Sequence, residues 1–338
     1  MEKNNNMEIT NPGALLDTRT EEERANDYKF SEIASAIEPV VWVEKSQSQW
    51  RKFPIFSQDG SGSCVAQTLR KLYGVYLWLN TGVWVDLSAS HIYQRRVNKP
   101  AGGMSGVDAF KIAQAGTTLE QFAPSENMSD SQMDAVKVIP FMEKIGEAFK
   151  LGAYVIVSPT DIDTIASIIQ KTGKAVMVWF YFTYPEWTNV PTVKYPNLSL
   201  TAQSTLRHSV AAVDFTLYQG KKALIIDDSW GNTTAMNGQR VITEDFFKAR
   251  NWFAAHFQNF AFEESSDVIK PRYDGSIISL QKCLRHEGLF PTNIAFTENL
   301  GPITKSAISK FQIKYGLSAT GTGTVGPLTK AKLKELYP

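Results

Sequence analysis

Apolar residues recur at helical spacing in the first half of the chain and at strand spacing in the second. Val65, Leu69, Leu72, Tyr73, Tyr76 and Leu79 fall on one helical face, which predicts a helix over Cys64–Leu79. Similar patterns predict helices at Ser88–Val97 and Gly106–Ala115. Later, short runs rich in β-branched and aromatic residues predict strands at Ala153–Val157, Ala175–Thr183, Ser209–Thr216, Ala223–Asp227 and around Trp252–Phe262. Helices first and strands later is the order of an α+β domain with segregated halves, here from about Glu38 to Phe262. A cleft between two such halves is a usual place for a site.

The same pattern divides the rest of the chain. Residues 1–37 read as an N-terminal extension. Thr20 with Glu23 three residues on has the form of a capping box, predicting a helix from about Glu21 to Ile37. Such a helix either packs on the next domain or covers its cleft as a short inhibitory segment. Residues 263–275 are polar, with Pro and Gly, and read as a linker. Beyond it, residues 276–338 show helical patterns at Ile277–Glu287, Ile303–Tyr315 and Leu328–Leu336, with Ile308, Phe311, Leu328 and Leu333 as a small core. Cys283 falls on the first of these helices and reads as a core thiol. Gly301-Pro302-Ile303-Thr304 reads as a turn with Thr304 capping the helix that follows. No internal repeat is visible.

Composition narrows the function classes. A length of 338 residues fits about two domains at roughly 150 residues each. The net charge of +1 argues against nucleic acid or an acidic lipid surface as the main partner. The two cysteines cannot form a disulfide framework, and neither has Cys or His at metal-ligand spacing, so no metal or other cofactor is implied. The longest apolar stretch, Ala175–Tyr184, is far shorter than the ~20 residues that span a bilayer, so no membrane span is expected. No basic start followed by an apolar core is read at the N-terminus, so no secretory signal is visible there.

Candidate chemistry begins in SQDGSGSCVAQTLRKLYGVY, residues 57–76. A glycine- and serine-rich loop runs directly into the predicted helix, with Cys64 at the junction. The thiolate is the attacking form of cysteine, and a helix N-terminus favours it. Gln58, six residues earlier, carries an amide able to donate to a developing oxyanion. A thiol nucleophile also needs a histidine base and a group to orient it. Of the four histidines, His91 falls in a predicted helix, His256 in an apolar run and His286 in the C-terminal segment. His208 opens an apolar strand at RHSVAAVDF. IIDDSWGN follows, where Asp228 is placed to hold the imidazole tautomer and Trp230 to shield that bond from water.

Taken together, these stretches resemble the papain family of cysteine peptidases. SQDGSGSCVA matches its Gln with Cys six positions on, RHSVAAVDF its strand after the catalytic His, and IIDDSWGN its Asn-Ser-Trp-Gly. AGGMSGVDAFKIAQAGTTLEQFAPS matches its cleft glycine pair and the helix after it. The resemblance implies a papain-like two-lobed domain, with a helical left lobe and a β-barrel-like right lobe, over residues 38–262. It implies Cys64 as nucleophile, His208 as base and acid, Asp228 as orienting residue, and Gln58 with the Cys64 backbone N–H as oxyanion hole. Gly102 and Gly103 would pair with an extended protein or peptide substrate, Met104 would line the main specificity pocket, and Trp230 would cover the leaving-group side. The chain departs from the family at four places. Asp228 stands where Asn is usual. Ser61 stands where Cys is common and Val65 where an aromatic is, so Cys64 is expected in a looser setting. Arg207 precedes the base and would favour acidic or neutral side chains near the scissile bond.

The C-terminal segment resembles the small all-α, three-helix bacterial peptidoglycan-binding domain. Leu280-Gln281, Gly288-Leu289, Gly301-Pro302-Ile303-Thr304, Phe311-Gln312, Tyr315-Gly316-Leu317 and Val325-Gly326-Pro327 carry that resemblance. It implies peptidoglycan as partner of residues 276–338 and a cell-envelope or extracellular setting. The expectation is therefore a cysteine endopeptidase targeted to the bacterial cell wall. The alternatives are a lysin-type enzyme that cuts peptidoglycan stem peptides, bacterial or phage-encoded, or a catalytically inactive wall-binding scaffold.

Overall fold

A computed structural model of the chain describes residues 13–25, 27, 29, 38–58, 60–187, 192–193, 206–261, 270–291, 294 and 296–338. The chain divides into two compact units, Met1–Tyr73 with Asp86–Phe262 and Gly74–Val85 with Glu263–Pro338. Of the linker read at 263–275, residues 263–269 lie outside the described residues.

The helix that begins at Cys64 continues to Thr81, and its residues up to Tyr73 belong to the first unit. Its sequence suggested one apolar face, yet from Cys64 to Tyr73 it is buried on every side, including Gln67, Thr68, Arg70 and Lys71. A buried ion needs a partner, and both cations have one. Arg70 pairs with Asp86 at 2.7 Å and Glu126 at 2.5 Å. Lys71 pairs with Asp227 at 2.8 Å. Ser88 caps a short helix, Ala89–Tyr93, which ends before the expected Val97. The Gly106–Ala115 helix has its expected bounds.

A short strand, β1 (Ala14–Leu15), pairs in parallel with β2 (Met104–Ser105). The second half of the unit is built from β3 (Lys150–Val157), β4 (Val176–Phe182), β5 (Thr192–Val193), β6 (Leu206–Tyr218), β7 (Lys221–Asp227), β8 (Gln239–Thr243) and β9 (Asn251–Ala261). Among the described residues these form a seven-stranded sheet in the order β3-β9-β4-β6-β7-β8-β5, with no pairing that joins its two ends. All neighbours are antiparallel except β5 and β8. One face is covered by two helices, Ile162–Thr172 and Glu244–Arg250. They press Ile165, Ile168, Ile169, Phe246 and Phe247 onto Val178, Phe180, Val210, Ala212 and Ile226. Fully burying such a side chain is worth about 1.5–3 kcal/mol. Sequence reading missed the Ile162–Thr172 helix, although Asp161 caps it (Thr164 N–H to Oδ1, 2.9 Å) and Gly173 ends it at φ +70°.

The capping box at the N-terminus is real. Thr20 N–H donates to Glu23 Oε2 at 2.8 Å, and Glu23 N–H to Thr20 Oγ1 at 3.2 Å. The helix it starts is shorter than expected, Glu21–Ala25. Arg19 clamps both Asp17 (2.8 Å) and Asp27 (2.7 Å), and Lys29 makes a parallel bridge to Ile156 instead of a helical turn. Residues 26, 28 and 30–37 of the expected helix lie outside the described residues.

The second unit contains helices Ile277–His286, Pro302–Lys314 and Pro327–Leu336. Their core includes Leu280, Cys283, Leu284, Ile308, Phe311 and Leu333. Burial pushes the Cys283 thiol up to about 12, as expected of a core residue. Leu328 is not core but 68% exposed. Thr329 and Leu333, four residues apart, define the inward stripe, and Leu328 sits about 100° around the helix from it. Thr304 is not a cap either; Gly301 is, and Thr304 Oγ1 accepts from Gln281 Nε2 at 3.0 Å. The same arrangement recurs one helix later, where Gln312 Nε2 donates to Thr329 Oγ1 at 3.0 Å. Each Gln carbonyl also accepts a backbone N–H from the intervening loop, from Thr297 and Thr322. Gly-Pro-x-Thr after Leu/Phe-Gln is thus a short structural repeat that sequence reading left out.

Candidate active site

Cys64 is the first residue of its helix, so the thiol lies where backbone N–H groups are unpaired. The loop before it is fixed mainly by neutral hydrogen bonds. Gln58 Nε2 donates to the Ser61 carbonyl at 2.6 Å, Ser61 Oγ to the Gln58 carbonyl at 2.7 Å, and Ser61 and Ser63 hydroxyls bond at 2.7 Å. Gly62 N–H donates to Asp130 Oδ1 at 2.9 Å. The looser setting expected from Ser61 is therefore not seen. A hydroxyl in place of a thiol gives up a crosslink and gains bonds to the Gln58 carbonyl and Ser63.

Backbone pairing joins this loop to the segment after β7. Gln58 N–H donates to the Ser229 carbonyl at 2.8 Å, and Gly231 N–H to the Phe56 carbonyl at 3.0 Å. Ser229 Oγ donates to Gln58 Oε1 at 2.6 Å, which turns the amide so that Nε2 faces the cysteine loop. That nitrogen carries two hydrogens, and Ser61 takes one. Sequence reading quoted Ser229 without giving it a role.

His208 on β6 and Asp228 just past β7 meet with Nε2 2.7 Å from Oδ1. The other ring nitrogen is left for Cys64, whose presence favours the charged imidazole. Burial alone would lower the His208 pKa, but Asp228 and Cys64 outweigh it and raise it to about 9. Burial opposes charge on Asp228 as well; Arg240 and His208 overcome it and hold the carboxyl well below the usual range. Asp228 Oδ2 accepts from Arg240 Nε at 2.7 Å and from Trp187 Nε1 at 2.9 Å. Trp230 and Trp187 pack on the imidazole, with ring centroids 5.5 and 5.6 Å away. The adjacent Asp227 faces the other way, to Lys71 and to Gln239 Nε2 at 2.8 Å.

The other histidines are used elsewhere. His91 bonds Thr117 at 3.3 Å, and burial, then Arg95, lowers it to about 4. His256 is lowered to about 3 by burial and Lys174. His286 meets the Tyr337 hydroxyl at 3.0 Å in the second unit. Arg207 alternates to the face of β6 opposite His208, with Tyr181 across from it in register.

Gly102 and Gly103 lie against the cysteine loop. Tyr93 Oη donates to Asp130 Oδ1 at 2.7 Å and accepts from Gly103 N–H at 2.8 Å. A methyl group on Gly62 would come within 2.6 Å of the Gly103 nitrogen, so only glycine permits this approach. Met104 is buried, and its N–H donates to the Gly13 carbonyl at 2.9 Å. The N-terminal segment therefore pairs with Met104–Ser105, directly after the glycine pair expected to take substrate. A methyl group on Gly13 would lie 2.3 Å from Cys64 Sγ. With this segment in place Cys64 is 0% exposed.

Known proteins match this arrangement in fold. Residues 274–333 match a family model described as a putative peptidoglycan binding domain. Xylellain, a cysteine protease from Xylella fastidiosa, is 18% identical, with a TM-score of 0.56 over 72% of this chain and 94% of its own. Procathepsin L 3 from the larval midgut of Tenebrio molitor is 17% identical, with a TM-score of 0.52 over 73% of this chain and 77% of its own. The cysteine protease and lectin-like domains of Cwp84, a surface layer associated protein of Clostridium difficile, match at 17% identity and a TM-score of 0.51, over 67% of this chain and 54% of theirs. No curated protein matches the sequence. The chain has the papain-like cysteine protease fold, and a peptidoglycan-binding-type domain follows it. Among the described residues, no helix is long and apolar enough to cross a membrane.

Proposed function

We propose that the chain is a cysteine endopeptidase, covered by its own residues 13–15 and directed to the bacterial cell wall by residues 276–338. The observation that carries the reading is a buried His208 whose Nε2 sits on Asp228, with a helix-start Cys64 that favours its charged form. In this mechanism His208 takes the thiol proton and Sγ attacks the scissile carbonyl carbon. The carbonyl oxygen gains charge beside the Cys64 backbone N–H and the second Gln58 amide hydrogen. Collapse of that intermediate breaks the C–N bond, and His208 gives its proton to the leaving amine. His208 then takes a proton from water, which hydrolyses the thioester and frees Cys64. Gly102 and Gly103 would hold an extended substrate by its backbone, with Met104 and Trp230 beside the scissile bond, while Arg207, on the face of β6 opposite His208, would not reach it.

The β1–β2 pairing supports the covered state, since the segment lies along Met104–Ser105 and leaves no room for a methyl group between Gly13 and the sulfur. In the second unit a cavity of about 700 Å³ is lined by Arg285, His286, Glu287, Phe290, Lys310 and Lys314, with Glu287 paired to Lys314 at 2.7 Å and Lys310 left to face a carboxylate of a wall peptide. The test compares two substrates with the full chain after removal of residues 1–20. Hydrolysis of unfolded protein, together with sedimentation of the chain with purified peptidoglycan, is expected. Release of soluble fragments from purified wall, without cleavage of unfolded protein, would favour the lysin-type alternative.

A further inference from the structure

Arg240 does not figure in the sequence-based constellation, yet it completes the site. It lies on β8 across the β7–β8 hairpin from Asp228, with a side chain that is 0% exposed. Its Nε donates to Asp228 Oδ2 at 2.7 Å, on the oxygen opposite the one that holds His208. Its Nη1 donates to the Trp187 carbonyl, and its guanidinium lies 4.9 Å from the Trp187 ring and 5.7 Å from the Trp230 ring. Those are the rings that pack on His208. Arg240 thus touches Asp228 and both tryptophan rings that pack on the imidazole.

The chemistry explains why such a residue is needed. A neutral amide at position 228 would hold the histidine tautomer without charge. A carboxylate holds it too, but a buried unit charge facing one imidazole would bind the proton too firmly to release it to a leaving amine. We infer that Arg240 is a positioning residue: by holding Oδ2 from behind, it fixes the Asp228 carboxylate and takes up part of the negative charge that His208 would otherwise face alone. Among the described residues, the ionisable groups that face His208 and Asp228 are Cys64 from the helix and Arg240 from β8; Phe182, Trp187 and Trp230 supply uncharged walls. The role as stated rests on the peptidase reading, but its test needs no substrate.

That test is imidazole nitrogen NMR of the full chain across pH, with the His208 signals assigned by their loss in His208→Gln. In Arg240→Gln the His208 midpoint should rise by about 1 unit or more, while Arg240→Lys should move it less. An unmoved midpoint in a folded Arg240→Gln protein would overturn the inference. Should that variant fail to fold, Asp228→Asn and the double Asp228→Asn/Arg240→Gln decide the point by thermal denaturation. Asp228→Asn removes the carboxylate that a buried Arg240 holds at 2.7 Å, so the double variant should melt above the single one. A double variant that melts at or below the single overturns the inference. A chain that shows the shift but cleaves no peptide keeps Arg240 in this role and removes the peptidase reading; a cleaving chain with an unshifted midpoint does the reverse.

Discussion

Cys64 and His208 stand on two walls that are equally dry but held by different forces. The loop around Cys64 is tied mainly by neutral amide, hydroxyl and backbone groups, Gln58, Ser61, Ser63 and Ser229, with one bond from Gly62 N–H to the Asp130 carboxylate. The histidine wall is tied by charge, with Asp228 between His208 and Arg240. Neutral bonds hold geometry over a wide pH range, and losing one costs little more than the bond. Buried charges hold geometry only while they balance, and losing one strands its partner. The contrast fits the work of each wall. Oxyanion donors must stay still, whereas the imidazole must gain and lose a proton.

The largest effect should come from breaking the charge balance. Asp228→Ala leaves Arg240 buried without its carboxylate and should lower the unfolding free energy by about 3–5 kcal/mol, read by chemical denaturation. On the other wall Gln58→Ala should leave folding nearly intact and lower kcat by about 10²–10³-fold with little change in KM, read with a peptide substrate. Ser61→Ala should cost only about 1–2 kcal/mol, because backbone bonds from Gln58 and Gly231 still pin the loop. A Ser61→Ala loss as large as that of Asp228→Ala would erase the distinction.

The smallest effect is the pH response. His208 has a folded pKa of about 9, above its ordinary value of about 6.5, so the stability it contributes is full below about 6.5 and is lost as pH rises through about 9. The melting-temperature advantage of the wild type over His208→Gln should therefore shrink across that window. Ser61→Ala should differ from wild type by the same amount throughout.

The cysteine wall was the more legible of the two in the sequence. Its parts lie within a few residues of one another, and Gln58, the glycines and the helix start could be read locally. His208 and Asp228 were found because a strand edge and Ser-Trp-Gly mark them. Arg240 was not, because arginine in a strand reads as exposed, and only the β7–β8 register turns it inward onto Asp228. Trp187 and Gly13 were missed for the same reason, since nothing near them in the chain points to their contacts. Leu328 erred in the opposite direction: an apolar residue one position off the buried stripe looked like core.

The central claim is that Cys64 is a nucleophile lying beneath residues 13–15. A peptidyl epoxide that alkylates thiolates, followed by peptide mass mapping, tests it most directly on the full chain. Wild type should be modified slowly at Cys64. Gly13→Val, whose side chain has no room beside the sulfur, should be modified several-fold faster, and Cys64→Ala not at all. Equal labelling of wild type and Cys64→Ala would contradict the nucleophile, and equal rates in wild type and Gly13→Val would contradict the cover.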